Sequence, residues 1–281
     1  MRPKIGAHVS AAGGLYNIFI NAAKIDAECV QIFGGSPKMW RSKEPNEADL
    51  KKYFNAQKLS KVEHVYLHAS YLVNLGSDKA YNREQSILSL IDHLAIADKI
   101  KAQGLIFHLG SSMSGTKEDA FKFTVSGMKQ VLKAVPSKTC LIMENSAGGG
   151  HKLGLDFAEV GKIMKAVGSA RVKTCLDTAH IFEAGGIDEY SKQKIKKLFD
   201  EFDKYIGMDN LVALHINDSK TAFNSHHDRH ENIGQGYIGL EGFKNLAKEK
   251  RLLDKDWLLE VPGFDGMGPD KENMEILKEL F

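Results

Sequence analysis

A polar stretch in the last third of the chain, residues 211–236, carries residue types that bind divalent cations. It begins as an apolar, strand-like run, turns polar at His215 and then presents HHDRH at residues 226–230. In extended chain, Asp228 and His230 point to the same side, so that an oxygen and a nitrogen can reach one ion. The alternative is a solvated loop with scattered histidines. Matching ligands elsewhere in the chain decide between the two.

Short apolar runs supply such ligands, because most of them end on a side chain that can bind a metal. The runs are 4–8, 29–33, 64–68, 105–109, 139–144, 172–177, 211–216 and 257–260. At or next to their ends stand His8, Phe33, His68, His108, Glu144, Asp177, His215 and Glu260. One histidine in such a place is ordinarily a core residue, but independent accidents would not put so many candidates at equivalent positions. Converging buried acids are costly unless paired or bound to a cation, so the set predicts a metal centre.

Loops add three further candidates. His180 follows Asp177 by three residues, and Asp228 and His230 come from the stretch described first. The predicted ligands are His68, His108, Glu144, Asp177, His180, His215, Asp228, His230 and Glu260. They exceed the capacity of one ion, and three ions fit the count if one carboxylate bridges. Mixed imidazole and carboxylate donors favour Zn²⁺, with Mn²⁺ or Fe²⁺ as substitutes.

Helical segments alternate with the apolar runs and determine the fold that must position these ligands. The predicted helices are 15–25, 46–59, 83–103, 117–135, 156–167, 191–206, 240–249 and 270–280. Strand–helix units of about 35 residues predict an α/β fold, a (β/α)8 TIM barrel, whose active site lies at the carboxyl ends of its strands. An open doubly wound sheet is the alternative, but HVSAAGGL after the first run lacks the G-x-G-x-x-G phosphate motif common there. We expect residues 1–281 to form a single catalytic domain.

Composition limits the class of protein. The chain has 281 residues, is 43% hydrophobic and carries a net charge of +2, which neither requires nor excludes nucleic acid as a partner. Cys29, Cys140 and Cys175 lie in apolar runs, so we expect buried free thiols and a reducing compartment. We see no signal peptide and no apolar segment long enough to span a membrane. We therefore expect a cytoplasmic protein.

Long motifs are spread in order over nearly the whole chain. Besides IGAHVSAAGG near the amino end, they are HASYLVNLG (68–76), FHLGS (107–111), MENSAGGG (143–150), CLDTAHIFEAG (175–185), LHINDSK (214–220), HHDRHENIGQGYIG (226–239) and LLEVPG (258–263). Together they resemble the endonuclease IV family of abasic-site endonucleases. The resemblance implies a TIM barrel, a trinuclear zinc site, and hydrolysis of the phosphodiester 5′ to abasic sites in duplex DNA. The implied products are a 3′-hydroxyl and a 5′-deoxyribose phosphate.

The resemblance also assigns roles to the ligands. Glu144 is the implied catalytic residue and bridges two ions. The other implied ligands are His68 and His108 on the first ion, Asp177, His215 and Glu260 on the second, and His180, Asp228 and His230 on the third. A hydroxide held between two metals is the expected nucleophile. His226 and His227 are left as loop residues.

Further motif residues are expected to contact damaged duplex DNA. Tyr71, Leu72 and Asn74 resemble the family's minor-groove wedge, although Tyr71 and Leu72 capping the hydrophobic core is the alternative. In GGSPKMW (34–40), Trp40 remains while Lys38 stands where the family commonly has an arginine. Lys220 and Arg229 are expected to contact phosphates. The family also implies a monomer.

Two other functions are compatible with part of the pattern. A metal-dependent TIM-barrel sugar isomerase or epimerase would use the late-strand set Glu144, Asp177, His215 and Glu260. That enzyme has no need of the additional ligands His68, His108, His180, Asp228 and His230. A non-catalytic DNA-binding barrel would retain the metals but bind abasic duplexes without turnover.

Overall fold

Eight parallel strands close into a barrel in the computed structural model, which describes residues 2–281. In chain order the strands are β1 (Ile5–His8), β2 (Cys29–Phe33), β3 (His64–His68), β4 (Gly104–His108), β5 (Cys140–Glu144), β6 (Val172–Asp177), β7 (Leu211–His215), β8 (Asp218–Ser219), β9 (His230–Glu231) and β10 (Asp256–Leu259). Strands β1 to β7 pair in sequence, and β10 closes the barrel between β7 and β1. Strands β8 and β9 form a separate antiparallel pair. The predicted (β/α)8 barrel is confirmed.

Helices follow the barrel strands and cover them. They are α1 (Asn17–Lys24), α2 (Glu47–Lys58), α3 (Ala80–Lys99), α4 (Lys117–Ala134), α5 (Phe157–Val167), α6 (Thr178–Glu183), α7 (Lys192–Tyr205), α8 (Gly239–Leu246) and α9 (Lys271–Lys278). All the predicted helices are present, with somewhat different ends. Helix α6 was not predicted, because six residues are too few to show a helical period. None of the described helices is long and apolar enough to cross a bilayer.

Two glycines illustrate where local signals succeed and fail. The sequence predicts that Gly104 and Gly168 end helices in the left-handed conformation. Gly168 does so after α5, with φ +69°. The prediction for Gly104 is wrong: Lys101 takes the left-handed φ of +57° after α3, and Gly104 opens β4. A Cβ at Gly104 would lie 2.6 Å from the Cys140 carbonyl oxygen, so close packing of backbones requires glycine there.

The inside of the barrel holds its own buried cluster. It comprises Cys29, Tyr66, Ile106, Ile142, Cys175, Ala213 and Leu258, one from each of seven strands. Because side chains alternate along a strand, the residue two positions further on points to the same interior, nearer the carboxyl end. Those residues are Gln31, His68, His108, Glu144, Asp177, His215 and Glu260. The barrel thus places a polar layer directly above an apolar one.

Candidate metal centre

The first group of donors, here called site 1, consists of His68, His108 and Glu144. Nε2 of His68 lies 3.1 Å and Nδ1 of His108 lies 3.6 Å from Oε2 of Glu144. Nδ1 of His68 donates to the Ala69 carbonyl at 2.9 Å, so in the neutral ring Nε2 presents a lone pair to the carboxylate. Two acceptors at that distance need a proton or a cation between them. Site 1 therefore fits a metal ion.

Site 2 lies on the other side of the same glutamate and consists of Glu144, Asp177, His215 and Glu260. Nδ1 of His215 lies 3.0 Å from Oε1 of Glu144, 3.4 Å from Oε2 of Glu260 and 3.9 Å from Oδ2 of Asp177. Glu144 thus turns one oxygen to each site. Three buried carboxylates around one imidazole are electrostatically unfavourable without positive charge among them.

Site 3 consists of His180, His230 and Asp177, with Asp228 beside them. Nε2 of His180 lies 3.2 Å from Oδ2 of Asp228. Nε2 of His230 lies 3.5 Å from Oδ2 of Asp177 and 3.6 Å from Oδ1 of Asp228. Both Nε2 atoms are buried. Although carboxylate oxygens lie near them, neither atom forms a hydrogen bond with any described residue. Orphaned imidazole nitrogens facing carboxylate oxygens fit a cation, and Asp177 reaches both site 2 and site 3.

The pKa shifts differ among the site residues: burial lowers the pKa of His108, whereas around site 2 the shifts favour ionised acids beside a protonated His215. Burial disfavours the charge on Glu144, but His108 and His215 outweigh it and hold the pKa of Glu144 well below its usual range. Burial likewise opposes ionisation of Glu260, but the neighbouring His215 helps to hold the pKa of Glu260 well below its usual range. Burial disfavours the His215 cation, but Cys175, Glu260 and Glu144 raise its pKa well above the usual value. Cations can replace such protons, so a metal that bound here would displace protons and would bind more tightly as pH rises.

Gln31 supports site 2 and was missed by sequence reasoning. Its amide nitrogen donates to Oε1 of Glu260 at 2.5 Å and lies 3.0 Å from Nδ1 of His8. Its amide oxygen lies 2.7 Å from Nε2 of His215. Gln31 is fully buried (0% exposed), and a lone glutamine in the apolar run CVQIF was the available signal.

Two asparagines hold Asp177 and His180 in place and were also missed as site residues. Asn145 accepts from the Asp177 N–H at 2.6 Å, and its own main-chain carbonyl oxygen lies 3.0 Å from Nδ1 of His180. Asn217 donates to Oδ2 of Asp177 at 2.7 Å and accepts from the Glu260 N–H at 2.8 Å. Such outer contacts fix ring orientation and tautomer in metal sites. Asn145 directly follows the end of β5, in MEN, and Asn217 lies two residues after the end of β7, in HIND. These positions next to predicted ligands were the available signal in the sequence.

A further buried acid, Asp218, folds the loop after β7. Asp218 accepts backbone N–H bonds from Gly234 at 3.0 Å, Gly236 at 3.0 Å and Ile238 at 2.9 Å. The antiparallel pairing of β8 with β9 then places His230 opposite Ser219. This arrangement turns the glycine-spaced segment back on itself and brings His230 to site 3. His226 and His227 of the same loop lie outside the three sites, and His227 is exposed.

A cavity of about 1690 Å³ opens above the donor groups, and among the residues expected to contact DNA Tyr71 lines it. Tyr71 is 66% exposed and packs edge-on against Phe33 at 5.2 Å between ring centroids. Leu72, Lys220 and Arg229 are exposed, as is Lys38, and Trp40 is half-buried. The Asn74 amide oxygen accepts from the Ser111 N–H at 2.9 Å, so this side chain braces the next loop. A direct Asn74 contact with DNA stays a prediction.

Comparisons with known proteins agree with this geometry. A family model described as a xylose isomerase-like TIM barrel matches residues 19–280. The probable endonuclease 4 of Halothermothrix orenii is 34% identical over 276 residues, which is 98% of this chain and 99% of that protein. The crystal structure of endonuclease IV from Thermus thermophilus has a TM-score of 0.87 at 29% identity, over 99% of this chain and 98% of that one. A D-tagatose 3-epimerase-like protein, with a TM-score of 0.74 at 18% identity over 99% and 96% of the two chains, shares the fold alone.

Proposed function

The chain belongs to the endonuclease IV family and is a nuclease, and on this basis we propose that it acts in DNA base excision repair. Its substrate is duplex DNA that contains abasic sites. It hydrolyses the phosphodiester 5′ to the abasic site and leaves a 3′-hydroxyl and a 5′-deoxyribose phosphate.

We propose that the three donor groups hold three zinc ions, with Mn²⁺ or Fe²⁺ as substitutes. The holding residues are His68, His108 and Glu144 in site 1, Glu144, Asp177, His215 and Glu260 in site 2, and His180, Asp228 and His230 in site 3, where Asp177 also lies. When bound, the ions supply hydroxide near neutral pH and neutralise charge on the phosphoryl and leaving oxygens.

Glu144 has the catalytic role in this proposal because its two oxygens face different sites. Oε2 faces His68 and Oε1 faces His215, so one buried side chain fixes the position of site 1 relative to site 2. Asp177 does the same for sites 2 and 3, since its Oδ2 lies near both His215 and His230. The chain thereby fixes all three sites before substrate arrives, as preorganised catalysis requires.

The single observation that carries the proposal is site 3 beside the other two. The alternative function, a sugar isomerase or epimerase, needs only one divalent ion on the late strands. His180 and His230, with buried Nε2 atoms that have no other partner in the described chain, have no role in that reaction. A phosphodiester, whose one negative charge is shared by two non-bridging oxygens and whose cleavage releases an alkoxide, gives each site a function.

The rim supplies the contacts that we propose for DNA. Tyr71 and Leu72 are apolar, exposed and close to the mouth, which suits insertion into a base step of the minor groove. An abasic nucleotide is the cheapest to lift out of the stack, so this wedge selects damage without reading sequence. We also propose that the DNA strands are contacted by Lys38, Trp40, Asn74, Lys220 and Arg229.

We further propose that residues 1–281 act as one catalytic domain and as a monomer. Cys29 and Cys175 are buried, Cys140 is half-buried, and none forms a disulfide among the described residues. Free thiols suit a reducing compartment, which supports a cytoplasmic location.

The test is incision of a duplex that carries one tetrahydrofuran abasic analogue by the zinc-loaded protein. The analogue cannot undergo β-elimination, so a nick reports hydrolysis. We expect a 3′-hydroxyl on the upstream fragment, detected by its extension with a DNA polymerase. An intact duplex, or a nick 3′ to the analogue, would refute the proposed reaction.

A further inference from the structure

Glu183 is a buried acid outside the three sites, and none of the roles described above uses it. It is the last residue of α6 and is fully buried (0% exposed). Its Oε1 accepts hydrogen bonds from Ser219 Oγ at 2.8 Å, Thr221 Oγ1 at 3.2 Å and the Arg229 N–H at 3.3 Å. Its Oε2 is buried without a hydrogen-bond partner among the described residues.

All three donors belong to one loop, residues 219–229, here called the ligand loop. Main-chain bonds attach the middle of this loop to the same helix end. The Asn224 N–H donates to the Phe182 carbonyl at 3.2 Å, and the His226 N–H donates to the Glu183 carbonyl at 2.9 Å. The two ends of the loop are joined by the Lys220 N–H, which donates to the Arg229 carbonyl at 2.9 Å. The Glu183 carboxylate attaches these joined ends to α6 through Ser219, Thr221 and Arg229.

The position of the Arg229 amide matters because it lies between two site 3 donors, Asp228 and His230. The Asp228 side chain is 45% exposed, so side-chain packing alone does not fix it. A hydrogen bond at the intervening amide fixes the backbone from which both donors project. The third donor, His180, belongs to α6 itself. Glu183 therefore connects the loop segment that carries Asp228 and His230 to the helix that carries His180.

We propose that Glu183 is a positioning residue that sets the affinity of site 3 for its metal. The inference rests on the proposed function, because it assumes a metal at that site. A buried carboxylate with an unpartnered oxygen is unfavourable for folding, so stability gives no reason for its presence. Holding a loop that carries metal ligands does give one, as outer contacts commonly tune metal affinity.

The experiment compares wild-type full-length protein with Glu183→Met and Glu183→Gln. Methionine has a similar length but no strong acceptor, whereas glutamine keeps one oxygen acceptor and should rescue. Glu189→Met, at an exposed glutamate shortly after α6, controls for loss of one negative charge. Zinc affinity is measured without DNA by competition with a chromophoric chelator, and amide hydrogen exchange is measured on the peptide that contains Arg229.

We expect Glu183→Met to weaken the binding of one zinc at least about tenfold, in line with outer-contact substitutions elsewhere, and to leave the other two unchanged. Exchange at the Arg229 peptide should accelerate, while Glu183→Gln and Glu189→Met should remain close to wild type.

If Glu183→Met binds three zinc ions with wild-type affinity and its amide exchange is unchanged, the inference is wrong but the proposed function stands. If Glu183→Met does not fold, Thr221→Val removes one of the three donors to Glu183, and it should weaken the binding of the same zinc to a smaller extent. A wild-type protein that binds no third zinc would overturn the proposed function, and the inference with it.

Discussion

The amide oxygen of Gln31 lies 2.7 Å from Nε2 of His215. The amide nitrogen of the same side chain donates to the carboxylate of Glu260, which fixes the orientation of the amide. In the neutral ring, Nε2 of His215 must therefore carry the hydrogen, and Nδ1 presents its lone pair towards Glu144 and Asp177. A residue that binds no metal itself thus selects the tautomer that a metal at site 2 requires.

Replacement of Gln31 by leucine should weaken metal binding at site 2 by about 10–100-fold. The substitution removes the acceptor of the His215 Nε2–H and the amide donor to Oε1 of Glu260, so the ring is released. Zinc affinity by chelator competition and kcat/KM on a tetrahydrofuran duplex measure the effect. Thr174→Val, which removes a buried hydrogen bond to the Asn210 carbonyl away from the mouth, is the control and should lose stability without losing metal. Equal zinc affinity in the Gln31 variant and wild type would contradict the assigned role.

Replacement of Tyr71 by alanine should raise KM for abasic duplex about tenfold or more, because insertion of an exposed ring beside the mouth is lost. Unfolding temperature and zinc content should change little, since the ring is 66% exposed and binds no metal. Tyr205→Ala, at the last residue of α7 and 41% exposed, is the matched control and should leave KM unchanged. If Tyr71→Ala loses stability while retaining its KM, the ring caps the core and is not a wedge.

Salt should weaken the binding of abasic duplex by metal-free protein, and part of this salt dependence should come from phosphate contacts of Lys220 and Arg229. Each phosphate contact contributes about 0.9 to the slope of log K against log salt. We therefore expect Lys220→Gln and Arg229→Gln each to lower the slope by about that amount. Lys197→Gln on the solvated face of α7 should leave it unchanged. Parallel salt plots for all four proteins would exclude phosphate contacts by these two side chains.

Glu183 should make the stability of the metal-free protein depend on pH. Burial raises its pKa to about 6 from the ordinary 4.5. Between these values the folded state binds more protons than the unfolded state, so the free energy of unfolding falls as pH rises. The contribution is complete below pH 4.5 and lost above pH 6. Between pH 4.5 and pH 7, the free energy of unfolding of wild type should fall by about 2 kcal/mol more than that of Glu183→Gln, as measured by denaturation at both pH values. An equal change in the two proteins would show that Glu183 does not titrate in this range.

The strand-end donors were predictable because two simple rules place them. Alternation along a strand and the common direction of barrel strands bring His68, His108 and Glu144 to one mouth. The support around them was not predictable in the same way. Gln31 and His215 are 184 residues apart, and no local pattern pairs them. Helix α6 is too short for periodicity, so the contacts of Glu183 with the ligand loop became visible only in the fold.

In the proposed function, site 3 is the feature that separates a phosphodiesterase from a sugar enzyme, and His230→Ala tests it most directly. Among the described residues, Nε2 of His230 faces only the carboxylates of Asp177 and Asp228, so its removal should cost one metal without unfolding the barrel. Zinc content and nicking of a tetrahydrofuran duplex should be measured together in wild type, His230→Ala and the exposed-loop control His227→Ala. We predict about three zinc ions and 5′ incision in wild type and His227→Ala, and about two zinc ions with incision reduced at least about 100-fold in His230→Ala. Wild-type zinc content and wild-type incision in His230→Ala would contradict the account.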